Sequence, residues 1–265
     1  MRIGGLMDNG IKVTTIRGND GGIIKFESHI ALESTADIAR KHAANGYPDR
    51  YAIFSDKRVY PDGDIEDGLY MSVLLRPSIF PSQAPLLGAL SATAMVSALS
   101  EHTSVPLGLG WVSDLYADGV RIGQATLEGK LDNYTSYEYI IITFSIKITD
   151  KVFPPRLTNM IKEVFEEDNG SSTMIMAKDL LKRFFSFYVN LKTGTKFMDT
   201  YSEKFILRGH KVKYYDGQRK RSLRVLSVDA KNGALILDGP HGKPISVFSP
   251  SNIQIPKKIK LKNKA

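Results

Sequence analysis

Residues 68–77 read Gly68-Leu69-Tyr70-Met71-Ser72-Val73-Leu74-Leu75-Arg76-Pro77, and this stretch decides the fold. A strongly apolar run closed by a proline reads as a buried strand over 69–76. Before it lies a short strand over 51–55 and a polar stretch, 56–67, read as a loop. Further upstream, 23–27 reads as a strand. A helix over 36–44 follows Ser34 or Thr35 as N-cap, with Ile38, Ala39 and Ala43 on one face and Asn45-Gly46 closing it.

Downstream, Pro85 opens a helix reaching about residue 101, whose small residues Ala89, Ala92, Ala94 and Ala98 permit close packing. Strands over 115–117 and 120–130 meet at Asp118-Gly119, a two-residue hairpin signal, and 138–148 continues as another strand. Helices are expected over 157–167 and 174–190. The second carries Leu180, Leu181, Phe184, Phe185 and Tyr188 at helical spacing, a core stripe.

From Leu207 the pattern changes to short strands separated by Asp216-Gly217, Asn232-Gly233 and Asp238-Gly239, the texture of a small β-barrel. The expected fold class is α+β: a mixed, mostly antiparallel sheet with packed helices, then a small barrel. The expected domains are 1–205, 206–256 and a basic tail over 257–265.

Composition narrows the chemistry. With 265 residues the chain can bury a sizeable core, and zero Cys excludes disulfides, thiolate metal sites and any cysteine nucleophile. The opening residues have no apolar segment of the signal-peptide kind, and the most apolar run, 86–99, is 14 residues, too short to span a bilayer. A cytoplasmic protein without membrane association is expected. The net charge is +8, but five of those charges are the tail lysines 257, 258, 260, 262 and 264. A solvated tail explains them, and no sequence-specific DNA binding is expected.

There is no phosphate loop of the G-x-x-x-x-G-K-[ST] type, no G-x-G-x-x-G, no H-E-x-x-H and no G-x-S-x-G. The five histidines, at 29, 42, 102, 210 and 241, never fall four apart, so no helical metal pair is expected.

Four segments in order carry a resemblance. Glu33-Ser34-Thr35-Ala36-Asp37-Ile38-Ala39 is similar to the S-T-N helix start of biotin–protein ligases. Residues 68–77 resemble the apolar strand of that family. Gly110-Trp111-Val112-Ser113-Asp114-Leu115 is similar to its K-W-P-N-D segment. Asp118-Gly119-Val120-Arg121-Ile122-Gly123 is similar to the hairpin and K-[IL]-A-G-I strand that follow. The β-rich end resembles the small SH3-like domain of that family, and a ligase-like chain without the DNA-binding module of the repressor-type members is expected.

The resemblance implies formation of biotinyl-adenylate from biotin and ATP with Mg²⁺, then transfer of the biotinyl group to a lysine on a carboxyl carrier domain. It also admits a homodimer. Attack of a carboxylate on a triphosphate calls for cations and oriented N–H groups. On the matching positions the resemblance implies Arg121 and Asp114 as catalytic residues. Ser34, Thr35, Lys57, Arg58, Trp111 and Gly123 are implied as ligand-binding residues, with no protein-held metal.

The sequence departs from the family where the chemistry sits. The position of the G-R-G-R-x-G-R loop carries Asp56, Asp62, Asp64, Glu66 and Asp67 against Lys57 and Arg58, a net charge of −3. The lysine of K-W-P-N-D aligns with Gly110, its asparagine with Ser113, and the glycine of the following strand with Gln124. Three functions stay open: an active biotin ligase, a catalytically degenerate homologue that binds a ligand or protein, and a lipoate-type acyl ligase. Ser34 and Thr35 also read as a helix cap, Trp111 as core and Asp114 as a hairpin residue.

Overall fold

The structure, a computed structural model, describes residues 11–101, 103, 105–132, 136–147, 172–191, 196–256 and 259. In chain order the elements begin with β1 (Lys12–Arg17), β2 (Ile23–His29), α1 (Thr35–Ala44), β3 (Tyr51–Val59), β4 (Ile65–Leu75) and α2 (Ala84–Ser100). Then come β5 (Leu107–Gly110), β6 (Asp114–Ala117), β7 (Val120–Asp132), β8 (Ser136–Lys147), α3 (Ser172–Tyr188) and α4 (Lys196–Lys204). The C-terminal strands are β9 (Lys211–Tyr215), β10 (Lys220–Val228), β11 (Leu235–Asp238), β12 (Pro244–Val247) and β13 (Ile253–Gln254). The α+β class and the mostly antiparallel sheet are as expected. The helix expected over 157–167 lies outside the described residues, as does all of the tail except Ile259.

The first sheet has the order β1-β2-β3-β4-β8-β7-β6-β5. Every neighbouring pair is antiparallel except β2–β3, and α1 makes the crossover that a parallel pair needs. Alternation along the strands sorts side chains to two faces. Ala52, Phe54, Leu69, Met71, Val73, Leu75, Ile142 and Phe144 join the main core, whereas Tyr51, Ile53, Leu74 and Ile141 pack under Ala39 and Ala43 of α1. The main core receives α2, which packs against α3, α4 and strands β5–β7.

Helix α2 is apolar on all sides because it is the central core helix. With the 3-10 turn Pro81–Gln83 it forms a 20-residue helical unit, longer than the 14-residue run suggested. Length and composition alone would let it cross a membrane, but most of it is buried inside this protein. Its hydroxyls are satisfied internally: Ser91 donates to the Leu87 carbonyl at 2.8 Å and Thr93 to that of Ala89 at 2.9 Å.

The stretch 56–67 is not a loop. Strands β3 and β4 run on through it as a ladder, pairing Lys57 with Asp67, Arg58 with Glu66 and Val59 with Ile65. Opposite charges facing each other across an antiparallel pair stabilise that extension, a pattern hidden by the polarity of the segment. Gly63 closes the turn at φ +88°.

The C-terminal strands form an antiparallel sheet of order β12-β11-β10-β9-β13, with a register shift in β10 between Val225 and Ser227. Its buried residues Val212, Val225, Leu235, Leu237 and Val247 belong to the same core as the large sheet. Two polar ties reinforce the junction. The Trp111 indole donates to the Gly233 carbonyl at 2.8 Å, and the Tyr116 hydroxyl donates to that of Pro256 at 3.1 Å. Trp111→Phe keeps an aromatic ring, trims part of the buried side chain and leaves a buried carbonyl without its donor. A loss of about 1–3 kcal/mol in urea unfolding, followed by circular dichroism, is expected; an unchanged midpoint would remove this tie from the account.

On the α1 face, Glu27 is 6% exposed, and its carboxylate accepts hydrogen bonds from His29 Nε2 (2.7 Å), His42 Nε2 (2.9 Å) and the Tyr51 hydroxyl (2.8 Å). Burial pushes its pKa up, but the donors from His42, His29 and Tyr51 together hold it below the ordinary 4.5. A carboxylate depressed in the folded state stabilises above its unfolded pKa, and that contribution is lost as pH falls through the folded value. Urea midpoints are therefore expected to drop below about pH 4.5, and to drop less in Glu27→Gln. Identical pH profiles for the two proteins would contradict this role.

Candidate functional site

The polar site lies on the α1 face of the large sheet, at the end where the first turn of α1 sits. Apolar residues stop there and hydroxyls take over. Ser72 lies opposite Thr143 across the β4–β8 ladder, Tyr70 opposite Ser145, and on β7 Gln124 and Thr126 pair with Ser145 and Thr143. The fully buried Ser72 accepts or donates at 2.7 Å to the Thr35 hydroxyl and at 2.8 Å to that of Thr143. A chain of three hydroxyls thus joins the first residue of α1 to the middle of the sheet. The signal was present in the sequence: polar residues every second position inside strands that are otherwise apolar.

Above this row is a cavity of about 590 Å³. Ser34, Thr35, Arg58, Tyr70, Arg121, Gln124 and Thr126 are among the residues that line it. Ser34 is also the N-cap of α1, accepting from the Asp37 N–H at 3.1 Å, so the cap and the cavity wall are one residue. The positive end of the helix dipole sits at this wall. Arg40 reaches the rim, held by Asp37 and by Glu128 at 3.1 Å. The guanidinium of Arg58 stacks over the Tyr60 ring at 5.0 Å.

Arg121 follows the Asp118-Gly119 turn on β7. Its Nη1 is 3.3 Å from Oδ1 of Asp114, whose side chain is 16% exposed. Burial raises the pKa of Asp114, and the adjacent guanidinium pulls it back. Arg121 also borders a second cavity of about 470 Å³ on the side of the C-terminal sheet, where Trp111, Ser113, Asp114, Phe248 and Ile253 contribute walls. The structure therefore brings Ser34, Thr35, Arg58 and Arg121 to one cavity, and Trp111, Asp114 and Arg121 to the other. Lys57 points to solvent from the hairpin, and Gly123 lies within β7 between Leu115 and Ile146. A side chain at Gly123 would meet the Ser145 carbonyl at 3.0 Å.

The hairpin over 56–67 has little to offer a triphosphate. The backbone of its β3 arm is paired on both sides: with β4 on one, and on the other with Leu32, which donates to the Lys57 carbonyl at 3.1 Å and accepts from Val59 at 3.0 Å. The Tyr60 and Tyr70 hydroxyls both donate to Glu66, and burial followed by the Glu66 charge raises the pKa of Tyr70. Among the described residues, no three His, Asp or Glu side chains converge to hold a metal ion. A Mg²⁺ accompanying a nucleotide would be held chiefly by the phosphates, as is usual for this ion.

No protein-family model matches the chain. The chain is nevertheless similar to biotin protein ligases in both sequence and fold, as a divergent relative. Over 144 residues it is 26% identical to the bifunctional ligase/repressor BirA of Bacillus subtilis, a match covering 50% of this chain and 43% of that protein. The match thus spans less than half the length of this relative. The biotin protein ligase of Aquifex aeolicus, solved with biotin and ATP, superposes with a TM-score of 0.64 at 18% identity, covering 86% of this chain and 97% of that one. A biotin protein ligase-like protein of unknown function from Silicibacter sp. TM1040 gives a TM-score of 0.67 at 14% identity, covering 85% and 94%.

Proposed function

We propose that this protein is a biotin-ligase-like protein that binds biotin or a related acyl carboxylate in the cavity beside α1. The observation that carries the proposal is the meeting of the Thr35–Ser72–Thr143 hydroxyl row with Arg121 in one cavity. Hydroxyls suit the polar head of such a ligand, and a guanidinium with the helix dipole suits its carboxylate. Within this reading Ser34, Thr35 and Arg58 contact the ligand, Asp114 orients Arg121, and Trp111 and Gly123 shape the adjoining walls. Residues 206–256 form an SH3-like domain following a ligase-like domain over 1–205.

An active ligase would join the acyl carboxylate to the α-phosphorus of ATP, releasing pyrophosphate. It would then pass the acyl group to a carrier-domain lysine, releasing AMP. The backbone-paired acidic hairpin favours the other reading, a homologue that holds the acyl group without forming the adenylate there. Labelled biotin supplied with Mg-ATP and a carboxyl carrier domain separates the two: binding without transfer is the expected result, and robust transfer would establish the ligase. Absence of binding by biotin, lipoate and octanoate to the folded protein would overturn both.

A further inference from the structure

The charge of this chain is unevenly distributed. Residues 206–265 carry fourteen Lys and Arg against three Asp, whereas the first 205 residues have a net charge of −3. Part of the excess is concentrated on one face of the β9–β10 hairpin. The register pairs Lys211 with Arg224, Lys213 with Ser222 and Tyr215 with Lys220, so these six side chains share a face. Lys211, Lys213, Lys220, Ser222 and Arg224 are all exposed, and Arg219 is exposed in the turn between the strands.

No carboxylate interrupts the six positions. The nearest acid in sequence, Asp216, is engaged by the backbone N–H groups of Gln218 and Arg219 and by Arg221, which points to the opposite face. Lys211 and Arg224 stand directly across the ladder from each other. Like charges in that position destabilise an antiparallel pair, so folding alone gives no reason for the arrangement. Alternate residues on a strand are ~7 Å apart, which sets the cations out in two short rows rather than a point. Tyr215 adds a ring, with the Lys220 ammonium 5.3 Å from its centroid.

We propose that this face is a docking surface for nucleic acid, contacting the phosphate backbone without reading sequence. Charge complementarity selects a polyanion. An acidic protein fits less well, because protein interfaces deplete lysine at their centre and build on aromatic anchors. Protein–nucleic-acid interfaces are instead polar and strongly positive. The surface is separate from the acyl cavity and does not depend on what that cavity binds.

The test uses the full chain and a fluorescein-labelled single-stranded oligonucleotide, with fluorescence anisotropy read between about 50 and 200 mM salt. If the five cations Lys211, Lys213, Arg219, Lys220 and Arg224 engage phosphates, log K falls against log salt with a slope of roughly −3.5. Affinity then drops roughly 100-fold over that range. The exposed triple variant Lys213→Glu, Lys220→Glu, Arg224→Glu should weaken binding by at least about tenfold and lower the slope by about 2, with an unchanged circular dichroism spectrum.

A second variant replaces Lys257, Lys258, Lys260, Lys262 and Lys264 by glutamine. It should keep most of the binding, and complete loss there with an unaffected triple variant would overturn the proposal in favour of the tail. Absence of binding by the unsubstituted chain at low salt would overturn it as well. So would binding confined to anionic phosphatidylserine vesicles or to an acidic protein.

Discussion

Phe184→Ala is expected to cost about 3–5 kcal/mol of folding stability, the cost of emptying a large buried aromatic site. Phe184 is fully buried on α3. Its ring meets Phe144 of β8 at 5.9 Å, Phe185 at 5.1 Å and Tyr188 at 5.7 Å. It therefore joins the helical layer to the centre of the large sheet, and the space it leaves cannot close without moving both. Urea unfolding monitored by circular dichroism measures the loss; a change below about 1 kcal/mol would mean that α3 is not held to the sheet in this way.

The second large effect is on ligand binding. Arg121→Ala is expected to weaken binding of an acyl carboxylate about ten- to a hundred-fold, since hydrogen bonds to a charged group are worth roughly 1.5–3 kcal/mol. The substitution also leaves Asp114 buried without its cation, so Arg121→Lys is the companion variant. Lysine keeps the charge and loses the planar fork. Calorimetric titration with biotin should show partial recovery for lysine if charge dominates. Equal affinity in all three proteins would remove Arg121 from the site.

The sequence was most legible where the signal is local. The apolar strand around Leu74, the Ser34 cap, the Asp118-Gly119 turn and the aromatic stripe of α3 each depend on neighbours within a few residues. They appear in the structure with small shifts at the ends. The stretch 56–67 reads as a loop from sequence because its charges hide a cross-strand pattern, Lys57 opposite Asp67 and Arg58 opposite Glu66, that is visible only once the register is known. Strand β1 and helix α4 gave too short or too polar a pattern to be expected.

Site features assembled across the chain were the least legible. Thr35, Ser72 and Thr143 are far apart in sequence and meet only because β4 and β8 pair under the start of α1. Glu27 draws donors from His29, His42 and Tyr51 on three elements. Arg121 was recognisable as a cation on the right strand. That Asp114 is its partner depends on the β6–β7 pairing and the register shift between Leu115 and Tyr116.

The most direct test of acyl binding beside α1 is a crystal structure of the protein grown with saturating biotin. Biotin is expected in the cavity above Ser72, with its carboxylate at about 2.7–3.2 Å from the Arg121 guanidinium and its polar head among the hydroxyls of Thr35 and Thr143. Biotin bound elsewhere, or a cavity left without it at that concentration, would contradict the assignment.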